Sequence, residues 1–307
     1  MKNILNINKI FFLINFLLSG KGVLYLLYRN RHLRFCEQNN SQAIQLILSK
    51  YVSSFLNQNY LSSQITIPKN IFQTQKSQDY VNNNRILKNC QKSWKETDYK
   101  YHFYSDSKMC DFIKNNFSKD VYKAFNLCPV PVMKADLWRY CVIYHYGGIY
   151  SDLDTILKTN IDIFEKKALF VGTTESTHFL CNYCFAAPKG SPILKEIIDL
   201  SVQRILEYDF SKRYEHYIHF LTGPECMTDG FEIWLDKMNL PILKEHNLVP
   251  LYKNYKFKNL LYIYDIKLFD KYVTHKEMGS SKEGWKNNRF EPYVQKAKKD
   301  IKKKKAN

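Results

Sequence analysis

The sequence has little glycine and proline, 10 and 9 residues among 307, and it shows no internal repeat. It is therefore not typical of a repeat array or of a low-complexity linker. Apolar residues make up 45% of the chain and charged residues 24%, which are ordinary values for a globular protein. A length of 307 residues allows one large domain with appendages, or two small domains, and either could bury a substantial core.

A second close cysteine pair is also missing. Among eight cysteines only Cys181 and Cys184 have the C-x-x-C spacing, and a zinc site would need further ligands at such a spacing. Two residues three apart on a strand also point to opposite faces. We therefore interpret these two cysteines as core residues rather than as a metal or redox pair.

Acidic residues are fewer than basic ones, which gives a formal net charge of +17. The C-terminal stretch KAKKDIKKKKAN supplies +6 of this charge, from seven lysines and one aspartate, and we expect it to be disordered. No nucleic-acid recognition motif accompanies the basic residues. We therefore expect no nucleic-acid partner.

No uninterrupted apolar run is long enough to be an unambiguous membrane span. The segment 10–28 is long enough, but it contains Asn15 and Lys21, and a central lysine costs about 2.5 to 3.5 kcal/mol on insertion scales. Near a helix end the lysine could reach the interface. A signal anchor, an interfacial helix and an amphipathic helix packed on the domain all fit this segment.

Strand and helix patterns alternate after Ile65. ITIPKNIFQTQ predicts a first strand, residues 83–94 a helix, residues 99–106 a second strand and residues 109–116 a further helix. This alternation favours an α/β fold with a parallel or mixed sheet. Such sheets bind ligands at the carboxyl ends of their strands.

A long helix is predicted from Met133 to Tyr146, because this run lacks a breaker and stops at Gly147. It has few polar residues, so we expect it to be largely buried. Asp136 and Arg139 are three residues apart and therefore lie on one side of that helix. They could form an internal ion pair, or they could bind a ligand.

Two aspartates, Asp152 and Asp154, follow the Gly-Gly turn within the apolar segment IYSDLDTIL. We expect this segment to be a strand, on which residues two apart point the same way. Paired carboxylates on an apolar strand repel each other and are poorly solvated, so they need a cation or hydrogen-bond donors. Lysine or arginine partners would meet that need. A divalent metal that carries a diphosphate would also meet it, because oxygen ligands with open positions suit Mg²⁺ or Mn²⁺.

The block KADLWRYCVIYHYGGIYSDLDTIL closely resembles the signature of the DXD-containing glycosyltransferase family, of the family 32 type. That family includes the yeast initiating α-1,6-mannosyltransferase, and the clostridial glucosylating toxins are more distant relatives. The similarity continues in IPKNIFQTQ, SWKETDYKYHFYSD, NYCFAAPKGSP, TGPECMTDG and HKEMGSSKEGW, so it covers about Ile65 to Trp285. It implies a GT-A type fold, with a mixed central sheet flanked by helices.

The resemblance also implies roles for the four central residues. Asp154 would ligate the metal directly, and Asp152 would meet the metal, the ribose and the donor sugar. Asp136 and Arg139 would hold the donor hexose through its hydroxyl groups. The implied cofactor is a divalent cation, for which we expect Mn²⁺ rather than Mg²⁺.

Further site residues come from the flanking blocks of the same resemblance. His275 is a candidate ligand for the metal or the diphosphate, and Ser280 and Trp285 would close over the leaving group. The remaining donor-side candidates are Gln73, Asp106 and Asn182.

These features predict a metal-dependent glycosyltransferase that retains anomeric configuration and moves a hexose from a UDP- or GDP-sugar to a glycan or protein acceptor. A non-catalytic sugar-nucleotide-binding scaffold on the same fold is the alternative. A two-metal nuclease is a weaker one, since it would need further carboxylates near the pair.

The predicted organisation is an N-terminal apolar or helical segment at 1–59, a catalytic domain at 60–290 and a basic tail at 291–307. If residues 10–28 are an anchor, the chain would be a type II membrane protein of the secretory pathway. Otherwise we expect a cytoplasmic enzyme.

Overall fold

A computed structural model of the chain describes residues 65–174, 179–211, 216–238 and 261–278. The predicted anchor at 10–28, the basic tail at 291–307, and the closing residues Ser280 and Trp285 lie outside these residues. Among the described helices, none combines the length and apolarity that crossing a bilayer requires.

The strands of the described residues divide between a large and a small sheet. They are β1 Asn70–Thr74, β2 Lys100–Tyr104, β3 Gly148–Ser151, β4 Thr155–Leu157, β5 Phe170–Thr173, β6 Cys184–Ala187, β7 Leu261–Tyr264 and β8 Val273–His275.

Helices alternate with these strands along the chain. They are α1 Gln78–Asn82, α2 Arg85–Lys95, α3 Asp106–Asn116, α4 Lys119–Leu127, α5 Pro131–Tyr146, α6 Pro192–Glu207, α7 Tyr217–Leu221, α8 Pro224–Lys237 and α9 Ile266–Phe269, with a 3₁₀ turn at Asp162–Phe164.

The large sheet has the strand order β2-β1-β3-β6-β5-β7. The β1–β2, β1–β3 and β5–β7 pairs are parallel, whereas β6 runs antiparallel to both β3 and β5. The small sheet is the antiparallel pair β4–β8. The predicted mixed central sheet flanked by helices is therefore confirmed.

Alternating strand residues divide the core into two layers. Phe72, Tyr150 and Phe185 belong to a cluster with α3, α4, α5, α6 and α8. Their neighbours Ile71 and Ile149 belong to a second cluster, which contains Trp94 of α2 and Phe269 of α9. Successive residues of a strand point to opposite faces, so the sheet lies between two apolar layers.

Helix α5 agrees with its prediction. Proline at its first position has no N–H to leave unpaired, and Gly147 ends the helix at φ +71° while its N–H bonds the Ile143 carbonyl at 2.8 Å. Nine of its residues are buried, including Asp136 and Arg139. The helix therefore lies inside the protein and carries its charged pair into the core.

The segment after Gly147 differs from its prediction. β3 stops at Ser151, and residues 152–154 form a turn before β4 begins. The Thr155 N–H bonds the Asp152 carbonyl at 3.1 Å and closes this turn. Asp152 and Asp154 therefore do not lie on one face of a continuous strand, as the two-residue spacing had suggested.

Cys181 and Cys184 are almost completely buried, at 1% and 0% exposure, and no disulfide joins the cysteines of the described residues. Burial raises the pKa of the Cys184 thiol far above its ordinary value. Both residues lie in the second apolar layer, which agrees with their interpretation as core residues.

Gly148 allows β3 to approach β1. Its φ is +125°, and a Cβ atom at this position would lie 2.6 Å from the backbone oxygen of Asn70. We predict that Gly148→Ala lowers the free energy of unfolding by about 2 to 4 kcal/mol, through backbone strain and overpacking. Urea unfolding followed by circular dichroism measures this change.

Gly190 provides the matched control, because its φ of +70° is also positive but no atom lies within 4 Å of a Cβ built there. Gly190→Ala should cost only the backbone strain, about 1 kcal/mol. Equal losses for the two variants would contradict the importance of the close approach to Asn70.

Candidate functional site

Arg139 lies between two carboxylates in the interior. Its Nη2 atom is 3.0 Å from Asp136 Oδ1 and 3.1 Å from Asp152 Oδ1, and Nη1 donates to the Asn182 carbonyl at 2.9 Å. Only 4% of the arginine side chain is exposed. Burial would lower its pKa, but the negative charges around it raise the pKa above its ordinary value, so the guanidinium stays charged.

The Asp136 carboxylate is held by polar groups from two further segments of the chain. Besides Arg139, it accepts hydrogen bonds from Asn182 Nδ2 at 3.1 Å and from Thr222 Oγ1 at 2.9 Å. Burial raises its pKa to about 6, although Arg139 and the hydrogen bonds act in the opposite direction. The Tyr140 hydroxyl donates to the Thr222 carbonyl at 2.8 Å and so helps to hold Thr222 beside Asp136.

Asp152 faces Arg139 from the turn after β3. The Tyr150 hydroxyl donates a short hydrogen bond to Asp152 Oδ1, and the Arg139 guanidinium lies 4.6 Å from the centre of the Tyr150 ring. Burial raises the pKa of Asp152, while Arg139 lowers it. Tyr150 therefore contacts both members of the Arg139–Asp152 ion pair and helps to hold them in place.

Asp154 turns towards β8 instead. Its Oδ1 atom is 3.3 Å from His275 Nε2, and its Oδ2 accepts a hydrogen bond from the Met278 N–H at 2.9 Å. The His275 ring stacks on Tyr183 with 4.4 Å between ring centres. Burial opposes the charge on Asp154, but His275 and Met278 outweigh it and lower the pKa of Asp154. The same pairing raises the pKa of His275.

Asp152, Asp154 and His275 each offer one ligand atom, and these atoms lie within 4.8 Å of one another. All three side chains are partly exposed, in contrast to Asp136 and Arg139. Two carboxylate oxygens and an imidazole nitrogen form a donor set that suits a divalent metal ion. The structure thus brings together the three residues that the sequence had marked as metal ligands.

The other predicted residues occupy different environments. Asn182 lies in the network, where it contacts Asp136 and Arg139. Gln73 is fully buried, and its amide already bonds the Tyr101 hydroxyl and the Asp152 carbonyl. Asp106 begins α3 at the carboxyl end of β2 and is exposed.

Sequence reasoning missed three contributors, Tyr140, Tyr150 and Thr222. The chain contains 23 tyrosines, so no sequence signal distinguished Tyr140 and Tyr150 from the other tyrosines. Thr222 begins the block TGPECMTDG, which the sequence had related to the family without a role for any of its residues. Only the folded arrangement brings its hydroxyl to Asp136.

Removal of the Arg139 charge should leave two carboxylates unpaired in the interior. We predict that Arg139→Met lowers the free energy of unfolding by about 3 to 5 kcal/mol. The double variant Arg139→Met, Asp136→Asn should recover part of this loss, because one of the stranded charges is then removed. Urea unfolding of the two variants gives both values.

The exposed pair of Lys195 and Asp199 is the control, with side chains 51% and 55% exposed. Lys195→Met should cost less than about 1 kcal/mol. A similarly small loss for Arg139→Met would mean that the buried pair contributes no more than a surface one.

A family profile described as "Glycosyltransferase sugar-binding region containing DXD motif" matches residues 81–171. This stretch runs from α1 to β5 and contains Asp136, Arg139, Asp152 and Asp154.

Curated relatives extend the similarity. The "Inositol phosphoceramide mannosyltransferase 2" of Schizosaccharomyces pombe is 28% identical over 301 residues, which cover 91% of this chain and 80% of that protein. The "Initiation-specific alpha-1,6-mannosyltransferase" of Saccharomyces cerevisiae is 38% identical over 33% of this chain and 22% of its own length. The Candida albicans protein of that name is 32% identical over 53% of this chain and 51% of its own length.

The profile match covers two parts of the site. One is the buried Asp136–Arg139 pair, called the clamp below, and the other is the turn at residues 152–154, called the acidic turn below. The sequence resemblance, the profile match and the similarity to the yeast proteins agree. Residues 81–171 therefore match the sugar-binding region of the glycosyltransferases that contain the DXD motif, and the chain as a whole is similar to proteins named mannosyltransferases.

Proposed function

We propose that this chain is a divalent-metal-dependent, retaining hexosyltransferase that uses a nucleotide-diphospho-sugar. The observation that carries the proposal is the convergence of Asp152, Asp154 and His275, whose ligand atoms lie within 4.8 Å of one another beside the buried Asp136–Arg139 pair. A metal site and a polar pocket for a sugar are the two parts that such a transfer requires.

The donor set favours Mn²⁺ over Mg²⁺. Mg²⁺ prefers oxygen ligands in an octahedral arrangement, whereas an imidazole nitrogen such as that of His275 suits transition metals. Three protein ligands leave coordination positions free for the two phosphates of a donor. A cation bound there would stabilise the negative charge that grows on the leaving diphosphate as the glycosidic bond breaks.

The buried Asp136–Arg139 pair would hold the hexose through hydrogen bonds. An ionised carboxylate accepts at about four positions. Asn182, Arg139 and Thr222 occupy three of those of Asp136, which leaves one acceptor position for a sugar hydroxyl. Arg139 keeps Asp152 in place on the opposite side of the same guanidinium. The clamp would therefore orient a hexose relative to the metal-bound diphosphate.

Retention of configuration has two routes. A protein carboxylate could attack the anomeric carbon and be displaced in a second step, or the acceptor could attack the front face within an ion pair. The carboxylates assigned above already bind Arg139 or His275, and we assign no nucleophile among them.

The relatives suggest which hexose to test first. The three proteins compared above are named mannosyltransferases, so we propose mannose, carried by GDP, as the leading donor sugar. The acceptor we propose is a glycan, free or attached to protein or lipid. A location in the secretory pathway remains a prediction that depends on residues 10–28.

The two alternatives receive less support. A two-metal nuclease would need a second group of carboxylates, and the one candidate metal cluster within the described residues has a single set of three ligands. A scaffold without activity would bind the donor sugar but would not need the metal-ligand geometry of Asp154 and His275.

A donor panel tests the proposal. The full chain is incubated with Mn²⁺, an acceptor sugar mixture and each of GDP-mannose, UDP-glucose and UDP-galactose, and nucleotide release is measured. We predict release from one donor, its loss with EDTA, and a reduction of about 100-fold or more in Asp154→Asn, the scale for loss of an electrostatic contact to a leaving group.

Asp199→Asn is the matched control, because it removes an exposed carboxylate from a surface ion pair and should leave the rate unchanged. Release that persists in EDTA and in Asp154→Asn would contradict metal dependence. Binding of a donor without release, under every acceptor condition, would favour the scaffold.

A further inference from the structure

We infer that Trp94 and Thr155 are positioning residues that set the spacing of the metal ligands. The inference rests on the proposed function, because it concerns the metal site of Asp152, Asp154 and His275. Neither residue is a candidate ligand. Both side chains are completely buried, at 0% exposure.

The Thr155 hydroxyl lies at the centre of a directed hydrogen-bond chain. Trp94 Nε1 is a donor only, and it lies 3.0 Å from Thr155 Oγ1 and 3.3 Å from the Thr155 carbonyl. The hydroxyl therefore accepts from the indole and uses its one proton to donate to the Asp152 carbonyl, at 2.6 Å. The Ser151 hydroxyl, also at 2.6 Å, is left to donate to Thr155 Oγ1.

The Asp152 carbonyl thus becomes a fixed point of the acidic turn. It accepts from Thr155 Oγ1, from the Thr155 N–H at 3.1 Å and from Gln73 Nε2 at 3.2 Å. The Tyr101 hydroxyl bonds Gln73 Oε1 at 2.8 Å and so fixes which end of that amide faces the turn. Donors from β1 and β4 thus hold one backbone oxygen, and Tyr101 of β2 and Trp94 of α2 fix those donors in turn.

The same anchor reaches the third ligand through the small sheet. Thr155 of β4 is the direct partner of His275 in β8, and the Lys276 N–H bonds the Asp154 carbonyl at 2.8 Å. The last turn of α2 also holds β4 through Ser93 Oγ, which accepts from the Leu157 N–H at 3.1 Å. A shift of Thr155 would therefore move the two aspartates and His275 relative to one another.

Such a shift matters more for a metal than for the fold. Ligand atoms must be held within about 0.5 Å of their working positions, and loss of an outer-shell partner typically weakens metal affinity by about 10- to 100-fold. Trp94 and Thr155 act through the ligands and would not touch the metal or the sugar. Their loss should appear in metal affinity beyond any general loss of stability.

The experiment measures Mn²⁺ affinity of the metal-free full chain, by electron paramagnetic resonance of free Mn²⁺, together with the unfolding temperature. We predict that Thr155→Val and Trp94→Phe each raise the Kd for Mn²⁺ by about 10-fold or more. Thr155→Ser restores the hydroxyl and should bind within about threefold of the native chain. If Thr155→Val does not fold, Trp94→Phe decides, since it keeps the aromatic ring.

Thr173→Val is the matched control. Thr173 is also 0% exposed, and its hydroxyl donates to the Tyr264 carbonyl at 2.9 Å, away from the acidic turn. This variant should lower the unfolding temperature, because it removes a buried hydrogen bond, and leave the Kd unchanged. A native Kd in folded Thr155→Val or Trp94→Phe would overturn the inference, and absence of Mn²⁺ binding by the native chain would instead overturn the proposed metal site.

Discussion

The arrangement of the site depends on one buried guanidinium. Arg139 and its partner Asp136 come from α5, whereas the other two partners come from the turn after β3 and from the segment before β6. Each contact is 2.9 to 3.1 Å. A buried arginine is costly unless its charge is matched. Because Asp136 and Asp152 together match it, α5 and the acidic turn can hold only one relative position. The glycines at 147 and 148 make the tight connection that this position requires.

The side chains of the two aspartates in the acidic turn point in different directions and therefore contact different partners. Asp152 contacts Arg139 and Tyr150, and Asp154 contacts His275 and the Met278 N–H. A continuous strand would have placed both carboxylates side by side, with their repulsion unrelieved. The turn gives each its own cationic or N–H partner and still keeps their ligand atoms near that of His275.

Sequence reasoning predicted what depends on local pattern. The long helix, its Gly147 end and the buried Asp136–Arg139 pair follow from periodicity and spacing, and the mixed sheet follows from alternating elements. The turn at 152–154 was not predicted, because an apolar segment with polar residues two apart is typical of a strand. The Thr155 hydroxyl, which also bonds the Asp152 carbonyl in this turn, accepts a hydrogen bond from Trp94, 61 residues away along the chain. Thr222 has the same difficulty, since its partner Asp136 is 86 residues distant.

Helix α2 shows how such distant contacts assemble the site. Trp94 of this helix donates to the Thr155 hydroxyl, and Ser93 accepts from the Leu157 N–H. Both partners lie in β4, which pairs with the strand β8 that contains His275. Contacts with α2 therefore position the small sheet, whereas the turn at 152–154 directly follows β3 of the large sheet. The candidate metal ligands lie where these two parts meet, so their geometry depends on the buried polar groups that join them. A sequence pattern for the three ligands cannot specify how these parts meet. The groups that join them, on Trp94, Thr155 and Ser93, are uncharged and are not ligands themselves.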